Sequence, residues 1–175
     1  MATCNFIRES HQNASSMRAV IRYVPQEKKT VDADGRRYLS GVGCGGTCAY
    51  DEFLATKYLY RRTDGVWFYQ YTQSFAPGEI GNPAEAHDVG RRLAEAFFPG
   101  CEVLVATHLD AFDEQGRQRV HNHFIINSVM PGDGRKVHFD RHTLERMREN
   151  GSEGTEAVEA AIGKYRKALG RLAEY

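Results

Sequence analysis

Apolar residues along the chain fall into stretches of two kinds, separated by turn residues. In the first kind they recur three or four positions apart, as Met17, Val20 and Ile21 do, which predicts a helix with one apolar face. The second kind is shorter and predicts strands. Helices are predicted at 14–23, 47–62, 82–98, 141–149 and 155–174, strands at 3–8, 38–42, 66–75, 101–109 and 119–130, and a polar loop at 26–37.

The order of these elements predicts an α+β fold. Residues 113–116, Asp-Glu-Gln-Gly, have the chemistry of a hairpin turn, so the last two strands are expected to pair. The predicted sheet has five strands, is mostly antiparallel and carries its helices on one face. The 175 residues suit a single domain at 1–150, with a C-terminal helix in 151–175 that packs on this domain or extends it.

Composition and charge narrow the class of protein. Hydrophobic residues make up 41% and charged residues 26%, which excludes a disordered or fibrous chain. No apolar run approaches the roughly 20 residues of a membrane helix, and the N-terminus lacks the apolar segment of a signal peptide, so a cytoplasmic protein is expected. The 23 basic and 23 acidic side chains balance, which argues against a strongly basic nucleic-acid coat protein but leaves local contacts with a nucleic acid open.

Three histidines of the last two strands are predicted to meet. Residues two apart on a strand share a face, so His121, His123 and Asn127 point the same way. A turn centred on residues 114 and 115 sets His108 opposite His121, at a distance that brings all three imidazoles together. Neutral imidazoles suit a divalent metal, and Asp110, on the face of His108, is expected to orient a ligand.

Such a metal would keep open coordination positions, which is typical of a catalytic site. It would activate water, as in a zinc hydrolase, or act as a Lewis acid on a phosphate, and the spacing does not choose between these. The H-E-x-x-H pattern is absent, which disfavours a common metalloprotease.

A tyrosine at the end of the first predicted helix is the candidate nucleophile. Tyr23 is suited to attack on phosphorus, and basic side chains near it suit a phosphate backbone. These basic residues are Arg18, Arg22, Lys28 and Lys29. An ordinary helix tyrosine beside a solvated loop remains the alternative interpretation.

Four segments in this order resemble the relaxase, or mobilisation nuclease, family. They are A-V-I-R-Y-V-P-Q-E-K-K-T at 19–30, E-F-L-A-T-K at 52–57, F-Y-Q-Y-T-Q-S-F at 68–75, and His108 followed by H-N-H-F-I-I-N at 121–127. These residues are similar to the MOB-P-type HUH endonucleases of conjugative plasmids and integrative elements. The resemblance covers about residues 1–140 and implies the ferredoxin-like or palm-like fold of HUH endonucleases.

The resemblance implies a function and a set of site residues. It implies metal-dependent, strand-specific nicking of single-stranded DNA at an origin of transfer, through a 5′-phosphotyrosine link that is later reversed. Matching positions make Tyr23 the nucleophile, His108, His121 and His123 the metal ligands, and Ser74 a DNA contact. They also make Asp110 and Asn127 supporting residues. The resemblance further implies Mg²⁺ or Mn²⁺ as the metal, although three nitrogen ligands also suit Zn²⁺ or Ni²⁺. It implies relaxosome accessory and coupling proteins as partners. It also implies that a bacterial mobile element encodes the protein.

Three other interpretations stay open. Residues 151–175 do not match the family, and Tyr165 loosely resembles the helix tyrosine of HUH replication initiators, which would make the protein a nickase of that kind. A non-catalytic nucleic-acid-binding module with a structural metal is the second. A zinc hydrolase of small molecules, with no role for Tyr23, is the third.

Overall fold

The computed structural model describes residues 2–139 and residue 145. The predicted helix at 155–174, with Tyr165, lies outside the described residues, as does the helix at 141–149 apart from residue 145. The domain boundary at residue 150 therefore stays a prediction. In the described part, no helix is long and apolar enough to cross a lipid bilayer.

Five strands form one antiparallel sheet, as predicted. They are β1 (Thr3–Ile7), β2 (Leu39–Val42), β3 (Phe68–Ser74), β4 (Val103–His108) and β5 (His121–Asn127). Their order across the sheet is β1-β3-β5-β4-β2, and every neighbouring pair is antiparallel. The α+β class and the five-stranded antiparallel sheet are thus confirmed, and β3, β5 and β4 occupy the centre.

Within residues 2–139, four helices accompany the sheet. They are α1 (Ala14–Tyr23), α2 (Glu27–Thr30), α3 (Ala49–Leu59) and α4 (Pro83–Phe97). The bounds of α1 match the prediction, and α4 begins after Asn82, whose side chain accepts a hydrogen bond from the amide of Glu85. α2 lies inside the predicted polar loop, since a helix of one turn is too short to show a period in the sequence.

The helices cover both faces of the sheet, so the prediction of helices on one face is wrong. Phe98 and Leu93 of the α4 region pack against Val105 and other residues of one face. Met17 of α1 and Phe53 of α3 pack against the opposite face. The physical reason is visible in β4, where successive residues are fully buried, as in a strand that is covered on both sides.

Two charged side chains are buried where α3 meets the end of the sheet. Nζ of Lys57 donates to Oγ of Ser128 at 2.9 Å and lies 5.4 Å from the centre of the Trp67 ring. The carboxylate of Glu102 accepts from Thr56 at 2.9 Å and from Asn127 at 2.6 Å. Burial lowers the pKa of Lys57 to about 7 and raises the pKa of Glu102.

The low pKa of Lys57 makes the free energy of unfolding depend on pH. Above pH 7 the folded protein releases the proton of Lys57, whereas the unfolded chain keeps it until about pH 10.5, so Lys57 contributes stability that grows with pH. We expect the free energy of unfolding of the wild type, relative to Lys57→Met, to rise between pH 7 and 8.5. The slope approaches about 1.4 kcal/mol per pH unit.

Urea unfolding at pH 6.0, 7.0, 7.75 and 8.5 measures this difference. The matched control is Lys28→Met, because Lys28 is exposed. Its stability relative to the wild type is expected to stay constant over the same range. A constant difference for Lys57→Met as well would contradict the lowered pKa.

Candidate active site

Three histidines converge at one end of the two central strands. His108 ends β4, and the register pairs it with His121 at the start of β5, which confirms the predicted pairing. His123 lies two residues further along the same face of β5. The ring centre of His108 lies 5.0 Å from that of His121 and 4.2 Å from that of His123. One ring nitrogen from each histidine lies within 4.8 Å of the others, so the three form a potential metal site.

Hydrogen bonds to the main chain orient two of the rings. Nε2 of His108 lies 2.7 Å from the carbonyl oxygen of Val24, and Nδ1 of His121 lies 3.2 Å from that of Arg119. A carbonyl oxygen only accepts, so each of these nitrogens carries the hydrogen and donates it. In a neutral ring the second nitrogen then has the free lone pair that a metal ligand requires.

Burial favours the neutral form of two of the three imidazoles, those of His108 and His123. Burial lowers the pKa of His108 below its ordinary value. Burial, together with the neighbouring His108 and His121, lowers the pKa of His123 to about 3. A neutral imidazole is the form that binds a metal ion, so this donor set fits a divalent cation at neutral pH.

Tyr23 lies beside the histidines at the end of α1. Its side chain is 54% exposed, although it belongs to a helix whose opposite face is buried. Val24, the next residue, provides the carbonyl that accepts the hydrogen bond from His108. This contact fixes the end of α1 to the histidine site.

Lys29 of α2 connects Tyr23 with Asp110. Its Nζ donates to Oη of Tyr23 at 3.1 Å and to Oδ2 of Asp110 at 2.8 Å, and it lies 4.5 Å from the centre of the Tyr23 ring. Oδ1 of Asp110 lies 3.9 Å from Nδ1 of His108. The hydrogen bonds that Lys29 donates to Asp110 and to Tyr23 raise its pKa, so it is a cation at neutral pH. Lys29 was predicted as a DNA contact, but the structure buries it among these partners.

The other predicted site residues take different places. Ser74 ends β3 and lies opposite His121 in the register. Arg22 and Lys28 are exposed near Tyr23, and the guanidinium of Arg18 lies 4.8 Å from the centre of the Tyr50 ring. These residues therefore lie on elements that border the site.

Asn127 shares the strand face of His123 but lies at the other end of β5. The two residues are four positions apart along an extended strand, which is about 13 Å. The amide nitrogen of Asn127 donates to the carboxylate of Glu102 at 2.6 Å and to the carbonyl of Phe53 at 3.3 Å. The structure thus brings Asn127 to the buried contacts of α3 and not to the histidines.

One residue beside the site was missed at the level of sequence. Asn122 lies between two histidines and faces α4, and its side chain is fully buried. It accepts a hydrogen bond from Thr107 at 2.6 Å and donates to Gln73 at 2.9 Å and to the carbonyl of Ala86 at 2.8 Å. A Cβ atom at Gly90 would lie 2.5 Å from its amide nitrogen, so glycine gives α4 the room to approach. The signal in the sequence was a polar residue on a strand face expected to be apolar.

Comparison with known proteins places this geometry in a family. The model of the family described as relaxase, MobA/VirD2-like, nuclease domain, matches residues 23–156. A Protein rlx of Staphylococcus aureus is 31% identical over 132 residues, which cover 73% of this chain and 40% of that protein. Another Protein rlx of that species is 37% identical over 110 residues, covering 63% of this chain and 32% of the relative.

A more distant relative extends the same result. The group II intron-interrupted relaxase LtrB of Lactococcus lactis subsp. cremoris is 27% identical over 148 residues, which cover 69% of this chain and 24% of that protein. The matches thus span less than half the length of each of these relatives. The resemblance stated from the sequence is confirmed: the chain belongs to the relaxase family and contains its MobA/VirD2-like nuclease domain.

Proposed function

We propose that the protein is a DNA relaxase. It nicks one strand of single-stranded DNA at an origin of transfer, forms a 5′-phosphotyrosine intermediate and later rejoins the strand, in conjugative mobilisation. The observation that carries the proposal is the hydrogen bond from His108 to the carbonyl of Val24, because it holds a nucleophile-bearing helix against a three-histidine site.

His108, His121 and His123 would hold the metal, with Mg²⁺ or Mn²⁺ as the proposed native ion. When bound, a divalent cation at this site would polarise the scissile phosphate as a Lewis acid. The chain's own contribution is to present three imidazole nitrogens on one face of two neighbouring strands. The carbonyls of Val24 and Arg119 orient two of the rings, those of His108 and His121.

In the proposed reaction the phenol oxygen of Tyr23 attacks the phosphorus, and the bond to the 3′ oxygen of the preceding nucleotide breaks. The phenol loses its proton, the 3′ oxygen gains one, and the new phosphodiester joins the tyrosine to the 5′ end. Lys29 holds a positive charge against the phenol oxygen and so stabilises the phenolate. The same contact serves the reverse step, in which the phenolate is the leaving group.

The DNA contacts follow from charge and position. Arg22 and Lys28 are exposed and lie before and after Tyr23 in the sequence, and we expect them to contact phosphate oxygens, as we do Arg18, one turn of α1 before Arg22. We expect Ser74, which pairs with His121, to donate a hydrogen bond to DNA. Such backbone contacts hold a strand in register, which phosphoryl transfer requires.

The biological setting is part of the proposal. The expected substrate is the origin of transfer of a bacterial mobile element, and the expected partners are relaxosome accessory and coupling proteins. The expected location is the bacterial cytoplasm.

A gel assay for a covalent protein–DNA adduct tests the function. The substrates are labelled single-stranded oligonucleotides spanning the origin of the encoding element, with Mn²⁺ or EDTA. We expect an adduct that requires Mn²⁺, persists in Tyr165→Phe and is absent in Tyr23→Phe. Loss only in Tyr165→Phe would indicate an initiator-like nickase. No adduct on the correct origin, despite metal binding, would indicate a binding module or a hydrolase.

Metal binding itself is expected to depend on the three histidines. Isothermal titration with Mn²⁺ should show His123→Ala binding about 100-fold more weakly or more, since loss of a ligand exceeds the 10- to 100-fold effect of an outer contact. His138→Ala is the matched control, because His138 is exposed and outside the site. Equal affinity of the wild type and His123→Ala would contradict the assignment.

Lys29 is expected to act on the chemical step. At saturating DNA and Mn²⁺, Lys29→Met should slow single-turnover adduct formation by about 10²-fold, the loss typical for one preorganised donor to a developing charge. Its neighbour Lys28 is exposed, so Lys28→Met should weaken DNA binding and leave the saturated rate unchanged. If both variants keep the wild-type rate, Lys29 has only a structural role.

A further inference from the structure

A cavity of about 510 Å³ opens beside the histidine site. One wall is the loop between β4 and β5, which includes Phe112, Arg117 and Arg119. The other wall consists of Thr3 and of Ser74 with the residues that follow it. We refer to this cavity as the loop pocket. Its volume lies within the range of small-ligand sites.

The loop pocket adjoins the proposed metal site directly. Ser74 lines the pocket and lies opposite His121 in the sheet. Arg119 lines it too, and its carbonyl accepts the hydrogen bond from His121. Because Ser74 pairs with His121, its side chain lies on the same side of the sheet as the histidines. If a DNA strand binds at the histidines, the neighbouring nucleotide would therefore lie at the mouth of this pocket.

The wall formed by the β4–β5 loop is held by its own hydrogen bonds. Phe112 and Gln118 form a β-bridge, and the amide of Arg119 donates to the carbonyl of Ala111 at 2.8 Å. The carboxylate of Asp113 accepts from the amide of Arg117 at 2.8 Å and from its Nε at 2.7 Å. The loop thus presents its side chains in a preformed arrangement, which lowers the entropy lost on binding.

The pocket suits a nucleobase better than a phosphate. Its two arginines, Arg117 and Arg119, are balanced by Asp113 and Glu114, and Arg117 already pairs with Asp113. The Phe112 side chain is 61% exposed, so the folded core does not account for its aromatic ring. Exposed aromatic rings on a rigid surface are the usual platforms on which unpaired bases stack. Arg119 also lines the pocket and has no ion-pair partner among the described residues.

We propose that the loop pocket binds one unpaired base of the DNA strand, from a nucleotide that flanks the scissile phosphate. The base stacks on Phe112, and Arg119 pairs with the phosphate that joins this nucleotide to the metal site. The proposal rests on the proposed function, which it extends from the phosphate to the adjoining nucleotide.

Fluorescence anisotropy with the origin oligonucleotides tests the pocket, in a Tyr23→Phe background that prevents cleavage. Phe112→Ala should weaken binding about 5- to 150-fold, the loss expected for one base–aromatic stack. Phe112→Trp should restore it. Tyr58→Ala is the matched control, since Tyr58 is 62% exposed on α3. Its affinity should equal that of the parent protein.

An abasic scan then identifies the base. Each nucleotide around the nick is replaced in turn by an abasic one. At the position whose base stacks on Phe112, the parent and Phe112→Ala should bind the abasic oligonucleotide with equal affinity, because the base that Phe112 contacts is missing. Arg119→Gln should reduce the slope of log affinity against log salt by about 0.7, as for one lost phosphate contact with single-stranded DNA. Unchanged DNA affinity in Phe112→Ala would overturn the proposed base site. A lower affinity of Phe112→Ala that persists with every abasic oligonucleotide would overturn it as well.

Adduct formation by the wild type separates the two proposals. If the wild type forms the adduct while Phe112→Ala binds DNA normally, the relaxase function stands and the loop pocket is not a base site. If Phe112 supports binding at one abasic-sensitive position but no adduct forms on the cognate origin, the base site stands and the nicking function does not.

Discussion

The hydrogen bond from His108 to the carbonyl of Val24 joins two parts of the site that lie 84 residues apart in the chain. On one side it fixes the tautomer and the orientation of a ring in the histidine cluster. On the other it anchors the main chain immediately after Tyr23. The main chain next to Tyr23 is thereby held at hydrogen-bond distance from the ring of His108, and in the proposed reaction this contact would help to set the distance between the nucleophile and the metal. Phosphoryl transfer depends on such positioning more than on elaborate acid–base groups.

The sheet beneath this contact is held from both faces. α1 and α3 cover the histidine face, and α4 covers the opposite face. The side chain of Asn122, which lies between His121 and His123 in β5, points to the opposite face and donates a hydrogen bond to the carbonyl of Ala86 in α4. The strand that presents two of the histidines is therefore fixed from behind as well as by its neighbours. These strands hold the three imidazoles side by side on one face of the sheet.

Strand alternation and turn chemistry were sufficient to predict the centre of the site. The turn at residues 113–116 fixed the register of His108 with His121, and a strand's period of two put His123 on the same face. The same rule put Asn127 on the face of His123; its supporting role came from the family resemblance, and sharing a face says nothing of distance along the strand. The burial of Lys29 escaped prediction because it comes from a single helical turn packed against Asp110, and so short a turn leaves no periodic signal. The covering of both faces likewise depends on the path of the connections, which local patterns do not encode.

The most direct test of the account is to identify the amino acid that carries the DNA. Wild-type protein is allowed to react with the origin oligonucleotide in Mn²⁺, the adduct is digested with protease and nuclease, and the modified peptide is sequenced by mass spectrometry. The account predicts a nucleotide phosphate on Tyr23, in the peptide that joins α1 to α2. A nucleotide on any other residue, Tyr165 included, would contradict the arrangement of nucleophile, lysine and histidines described above.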